Sequence, residues 1–208
     1  MPKKTVQWVR IVLHVGASVP VVWLGWMAWR GGLGPAPVAS VTRLLGRYAL
    51  ALLLLSLLPT ALRTAVGITL ATSLRRPPGL YAFFYALLHV LAFVGLDYGF
   101  AIGLLVTAVV QSRREIVGVA AFVILAILAL TSVPHLAKGL GRAWKHVHRS
   151  VYLATSLVVL HAVWNYKELR SWPLIVGAFL VLLLMVRLPP VARRLRHWRN
   201  PEGRTPSH

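Results

Sequence analysis

Acidic residues are scarce and cysteine is absent. The 208-residue chain has four Asp and Glu against 23 Lys and Arg, and no Cys. Without thiols there are no disulfides, zinc–thiolate sites or iron–sulfur clusters. The four carboxylates, Asp97, Glu115, Glu168 and Glu202, are scattered along the chain, so no clustered carboxylate site is available for a hard cation. Polar stretches are few as well: 58% of residues are hydrophobic and 13% charged, and the mean hydropathy is +0.71.

The apolar residues lie in long runs rather than at amphipathic spacing. About 20 such residues cross a hydrocarbon core of roughly 30 Å. In lipid the backbone finds its hydrogen-bond partners within its own helix. The expected fold is therefore all-α, a polytopic membrane protein with a six-helix transmembrane bundle. The expected spans are 8–29, 44–62, 80–100, 116–133, 147–164 and 172–188. The joints carry Pro and Gly clusters, GGLGPAP at 31–37, RRPPG at 75–79 and PP at 189–190. The run FAIGLLVTAVV at 100–110 is too short to cross and is expected to lie along the interface or dip in and out. Residues 1–190 form one membrane domain and 191–208 a basic cytoplasmic tail. The first run follows Lys3 and Lys4 as a signal peptide would, but its length and its Trp23, Trp26 and Trp29 favour a retained span.

A net charge of +19 raises nucleic acid as a partner. The basic residues instead punctuate the apolar runs, as they do beside a lipid bilayer. Sixteen of them fall on the side of the N-terminus, the second and fourth loops and the tail, and seven on the other side. Both termini are thus expected in the cytoplasm. Trp8, Trp29, Trp164 and Trp172 stand at span ends, where interfacial anchors belong.

Ionisable residues inside spans are costly and usually functional. His14, His89 and His161 fall within spans one, three and five, and His148 at the cytoplasmic end of span five. His135, His146 and His197 lie in basic loops or the tail and His208 is terminal, so they need no such explanation. At about 1.5 Å per residue, His89 lies roughly 15 Å in from Gly79 and His161 roughly 21 Å in from Val147. Matched depth makes His89 and His161 the first-choice axial pair for a haem iron. His148, about 20 Å nearer the cytoplasm, is a candidate ligand of a second haem, with His14 or a non-histidine group as its partner. Two lone imidazoles that each hydrogen-bond a neighbouring helix are the plain alternative; zinc or copper on the same imidazoles is another. Arg47 near the outer end of span two and Arg75 or Arg76 near the inner end of span three suit haem propionates, through bidentate guanidinium–carboxylate pairing. Snorkelling arginines explain them equally well. The segment GLGR at 139–142 lacks the third glycine and preceding strand of a dinucleotide loop and is rejected.

RIVLHVGASVPVVWL at 10–24, GGLG at 31–34, GRYALALLLLSLLPTALR at 46–63, RRPPGLYAFFYALLHV at 75–90 and LGRAWKHVHRSVYLATSLVVLHAVW at 140–164 carry a resemblance. The chain resembles the MsrQ/YedZ family, the haem-binding membrane subunits of the bacterial periplasmic methionine-sulfoxide reductase system, within the wider ferric-reductase-like transmembrane group. That resemblance implies haem b at His89, His148 and His161, one haem or two. It implies electrons drawn from quinone or a cytosolic flavin reductase and passed to a periplasmic molybdopterin-containing methionine-sulfoxide reductase subunit. It further implies an inner-membrane location and an associated FMN, for which no residue here reads as a site. Relatives among the oxidases carry a histidine where this chain has Arg75, so the inner ligand set stays open. Two other functions remain at this stage: a metal or proton transporter using His14, His89 and His161 as a relay, and a transmembrane ferric or quinone reductase with another acceptor.

Overall fold

The computed structural model describes residues 3–67, 74–165 and 171–199, and every regular element among them is helical. In chain order they are α1 (Lys3–Trp29), α2 (Pro37–Ala65), α3 (Arg76–Ala92), α4 (Ile102–Gln111), α5 (Arg113–Leu130), α6 (Pro134–Leu140), α7 (Ala143–Arg149), α8 (Val151–Asn165), α9 (Ser171–Met185) and α10 (Pro189–Arg199). Glu168, His208 and the tail beyond Arg199 lie outside the described residues. Among the described residues, three helical stretches are long and apolar enough to cross a bilayer: Lys4–Trp29, Pro37–Ala65 and Arg76–Asp97. A fourth crossing is present if α5 and α6, bent by 94° at their junction, count as one. Helices α8 and α9 have 15 residues each, short of a full crossing by themselves.

Local chemistry explains the helix ends. Pro occupies the first turn of α2, α3 and α6, where its missing N–H removes no intrahelical bond. Ser112 caps α5, its Oγ accepting from the backbone N–H of Glu115 at 3.4 Å; Ser-Arg-Arg-Glu has the spacing of a capping box. After α3 the chain widens into a π turn at Phe93–Asp97. It then reverses through Gly99 and Phe100, both in the left-handed region (φ 53° and 61°). The expected fifth span is two helices, α7 and α8, meeting at Ser150. Ser150 Oγ donates to Val147 O, a local bond that competes with helix continuation.

Two helix pairs dominate the packing, α2 with α3 and α5 with α8. Between them lies an apolar core that includes Leu45, Ala49, Leu53, Ala82, Tyr85, Leu125 and Ala154. A second cluster of Leu50, Leu54, Leu57 and Ala61 binds α9 through Leu180 and Leu183. The alanines let backbones approach closely, as helix association in lipid requires. Helix α1 lies against α2 and α3 and is pinned by Tyr85. The Tyr85 hydroxyl donates to Ala17 O at 2.6 Å and accepts from Val21 N at 3.1 Å. It thus bridges one turn of α1 beside Pro20, a residue that itself lacks an N–H.

Candidate functional site

The two helix pairs bring His89 and His161 together. Their ring centroids are 6.3 Å apart, with the ring planes at 82°. Each ring is held in the same way. His89 Nδ1 lies 2.7 Å from Thr42 O, and His161 Nδ1 lies 2.9 Å from Arg114 O. A carbonyl accepts only, so each Nδ1 carries the proton and each Nε2 keeps its lone pair. For His161 that lone pair also accepts from Asn165 Nδ2 at 3.2 Å.

Glycine makes room for both rings. A Cβ on Gly46 would stand 3.2 Å from His89 Cε1 and Nδ1, and one on Gly118 only 2.8 Å from the same atoms of His161. Thr42, Gly46 and His89 map onto Arg114, Gly118 and His161 by one constant shift of 72 residues (42 to 114, 46 to 118, 89 to 161). The two halves are therefore a geometric repeat of one helix-pair motif: histidine on one helix, carbonyl and glycine one turn apart on the other. Residue-by-residue likeness between the halves is too weak to reveal it. The readable signal is the equal spacing of 43 residues from Gly46 to His89 and from Gly118 to His161.

Does this pair suit a haem iron? Histidine nitrogen–metal bonds are about 2 Å long, so two imidazoles on opposite sides of one ion hold their centres roughly 6 Å apart. The observed 6.3 Å matches. Backbone carbonyls on Nδ1 are the usual outer partners of metal-bound histidine; they fix the tautomer and raise ligand basicity. Among the described residues no group of three or more His, Cys, Asp or Glu gathers as a metal site. A bis-imidazole pair is what axial ligation needs. The residues fit the group.

The inner region is built differently. The same shift of 72 residues that pairs His89 with His161 pairs Arg76 with His148. His148 stacks on Trp144, with ring centroids 3.9 Å apart and an interplanar angle of 24°. Its Nδ1 lies 3.3 Å from Trp144 O and its Nε2 3.3 Å from Ser132 Oγ. Arg76 donates to the carbonyl of that same Ser132, and both Arg75 and Arg76 act electrostatically on the imidazole. His14 is bonded to Tyr81 on α3, its Nδ1 2.9 Å from the hydroxyl.

Arg47 follows Gly46 on α2 and is half-buried. At the inner region Arg75 Nε and Arg187 Nε and Nη1 are buried without a hydrogen-bond partner. Arg187 spends its remaining nitrogen on Leu57 O at 2.6 Å and lies over the Tyr152 ring at 4.7 Å. Buried guanidinium donors without acceptors are costly, and carboxylates such as haem propionates would supply those acceptors. Arg187, at the end of the expected sixth span, was not among the candidate residues. Of the other histidines, His135 and His146 are exposed.

Comparison with known proteins identifies the family. The family model described as "Ferric reductase like transmembrane component" matches residues 45–159, which contain His89 and His148. The chain is 42% identical over 193 residues to the protein-methionine-sulfoxide reductase heme-binding subunit MsrQ of Rhodospirillum rubrum, covering 92% of this chain and 93% of that one. It is 35% identical over 198 residues to the protein of the same name from Brucella ovis, covering 95% and 90%. The Brucella canis protein of that name matches to the same extent. Across nearly its whole length, then, the chain belongs to the MsrQ family of heme-binding subunits, within the ferric-reductase-like transmembrane group.

Proposed function

We propose that the chain is a membrane b-type cytochrome that relays electrons to a periplasmic methionine-sulfoxide reductase, for repair of oxidised periplasmic proteins. The observation that carries this reading is the His89–His161 pair: ring centres 6.3 Å apart, Nδ1 of each ring on a backbone carbonyl and glycine behind each ring. Haem bound there supplies a one-electron ferric–ferrous couple. The chain's own contribution is orientation and exclusion. Thr42 O and Arg114 O keep each Nε2 unprotonated, and the Leu45–Ala49–Leu125 core excludes water. A haem held by both imidazoles would leave substrate no place on the iron, so the chain would need no acid–base residue for electron transfer.

His148 is the proposed ligand of a second haem b toward the cytoplasm, with Arg75, Arg76 and Arg187 as donors to its propionates; Arg47 serves those of the outer one. The donor is quinone or a cytosolic flavin reductase, and the acceptor a molybdopterin-containing periplasmic subunit. The protein sits in the bacterial inner membrane with both termini cytoplasmic, α7–α8 and α9 completing six crossings. The 16-to-7 division of basic residues supports that orientation.

Spectra test the central claim. Purified protein should show a Soret shift and a sharp α-band on dithionite reduction, and His89→Ala or His161→Ala should abolish the outer haem. A colourless preparation from haem-replete cells would overturn the reading. Electron delivery is tested by reoxidation of the reduced protein on adding the periplasmic subunit with a methionine-sulfoxide substrate. The chain has no native cysteine, so single introduced cysteines read the topology directly by membrane-impermeant labelling.

A further inference from the structure

Helix α10, PPVARRLRHWR, takes no part in either histidine region and differs in chemistry from the apolar helix before it. It carries Arg193, Arg194, Arg196 and Arg199 and no acidic residue, and it opens on Pro189 and Pro190. Helical spacing of about 100° per residue puts positions 191, 192, 195 and 198 within one sector of roughly 120°. Those positions hold Val, Ala, Leu and Trp, while Arg193, Arg196 and His197 fall on the opposite side. The near part of this apolar stripe is covered: α10 lies against α2, and Ala192 is buried. The far part is not, since Trp198 is 79% exposed. The link from α9 is a tight turn, with Leu188 N bonded to Met185 O and Ala192 N to Leu188 O. Helix α10 therefore starts close to where the apolar run of α9 ends.

We propose that α10 lies in the head-group layer and binds anionic phospholipid, with its basic side on the phosphates and its Trp198 end at the acyl boundary. Water would leave the tryptophan end of the stripe exposed, which is unfavourable. The bilayer interface covers it, and tryptophan concentrates there. An arginine-rich side opposite an apolar stripe is the composition of helices that lie in the interface plane. Basic clusters just past a crossing attract anionic head groups, and guanidinium pairs with phosphate in bidentate fashion. Zwitterionic lipid suits α10 less well, because its ammonium group meets no carboxylate on this helix. Nucleic acid would satisfy the arginines and leave the stripe in water. A second copy of α10 would set arginine against arginine, which is repulsive.

This inference rests on α9 as the sixth crossing, and its test needs no electron transfer. Single nitroxide labels are placed at Leu195→Cys, on the stripe, and at His197→Cys, on the basic side, in the full chain. The protein is studied in nanodiscs of phosphatidylcholine with and without phosphatidylglycerol. With phosphatidylglycerol the label at 195 should be reached by oxygen and shielded from a nickel chelate, and the label at 197 should show the reverse. Without it, nickel access at 195 should rise about threefold or more. Adding Arg194→Gln and Arg196→Gln to the Leu195→Cys chain should abolish this lipid dependence. Haem content, read on the same samples, reports that each variant is folded. Equal nickel access at 195 in the two lipids overturns the proposal. So does shielding that survives in detergent, which would mean that protein covers the stripe. Impermeant thiol labelling of intact cells tests the crossing separately, with single cysteines at Ser171 and His197. Labelling on the same side rejects the sixth crossing and the placement built on it. Labelling on opposite sides, with no lipid dependence in nanodiscs, rejects the placement of α10 alone.

Discussion

The outer and inner histidine regions occupy equivalent positions in two similar helix pairs, yet only the outer one is symmetric. His89 and His161 each have a carbonyl on Nδ1 and a glycine behind the ring. At the inner level His148 has Trp144 as its support, and the counterpart position holds Arg76. Two imidazoles face a shared ion; an imidazole and a guanidinium do not, since a guanidinium stays protonated and offers no lone pair. The repeat therefore supplies one pair of facing imidazoles and one imidazole opposite a guanidinium. The lesson is that two helix pairs can share a backbone frame and still differ in the side chains they set at one level.

The largest effect should come from breaking the outer pair. His89→Ala or His161→Ala should each remove at least half the haem per chain, measured as pyridine haemochrome. His148→Ala should leave the low-spin signal of the outer site intact in electron paramagnetic resonance. Equal losses in all three variants would erase the distinction between the regions.

Next in size are the glycines, which the repeat predicts to be unequal. A Cβ at Gly118 would press His161 at 2.8 Å, closer than side chains tolerate, while one at Gly46 meets His89 at 3.2 Å. Both rings are tied to carbonyls, so neither can retreat without giving up that bond. Outer-shell changes at metal-bound histidines typically cost about 10–100-fold in affinity. Gly118→Ala should fall in that range, and Gly46→Ala should lose only about threefold. Haem retention during dilution measures both, and the reverse order would refute the packing account.

Some of this was legible in the chain itself. Depth along two helices is enough to expect His89 and His161 near each other, because rise per residue is nearly invariant, and their rings do lie 6.3 Å apart. All-helical character followed from the apolar runs. What supports the rings was not legible: Thr42 and Arg114 act through main-chain carbonyls, which any residue carries. Gly46 and Gly118 matter only through a packing partner 43 residues away. The break at Ser150 has no Pro or Gly to mark it, and nothing in the sequence shows that Arg187, at the end of the expected sixth span, donates to Leu57 O. The pairing of His14 with Tyr81 depends on how α1 leans on α3, a tertiary fact with no sequence signature.

The inner region can be pushed toward symmetry. If Arg76 is the counterpart of His148, Arg76→His places a second imidazole at the position equivalent to His89 on its own helix pair. Haem held at His148 should then be retained more firmly on dilution, with added low-spin intensity. Arg76→Gln, which removes the charge without adding a ligand, should not produce that gain. An unchanged spectrum in the histidine variant would mean that the repeat does not extend to the inner level.

Asn165 should matter least, and the reason sharpens the outer site. Its Nδ2 donates both to His161 Nε2 at 3.2 Å and to His161 O at 2.9 Å. The first bond uses the lone pair that an iron would take, so ligation and the side-chain bond exclude each other. The second only closes the exposed last turn of α8. A partly solvated bond of this kind contributes about 1 kcal/mol or less. Asn165→Ala should thus leave haem content within about twofold, while Asn165→Asp, which draws a proton onto Nε2, should lower it more. If alanine proved the more damaging change, Asn165 would be holding the imidazole in place rather than competing for its lone pair.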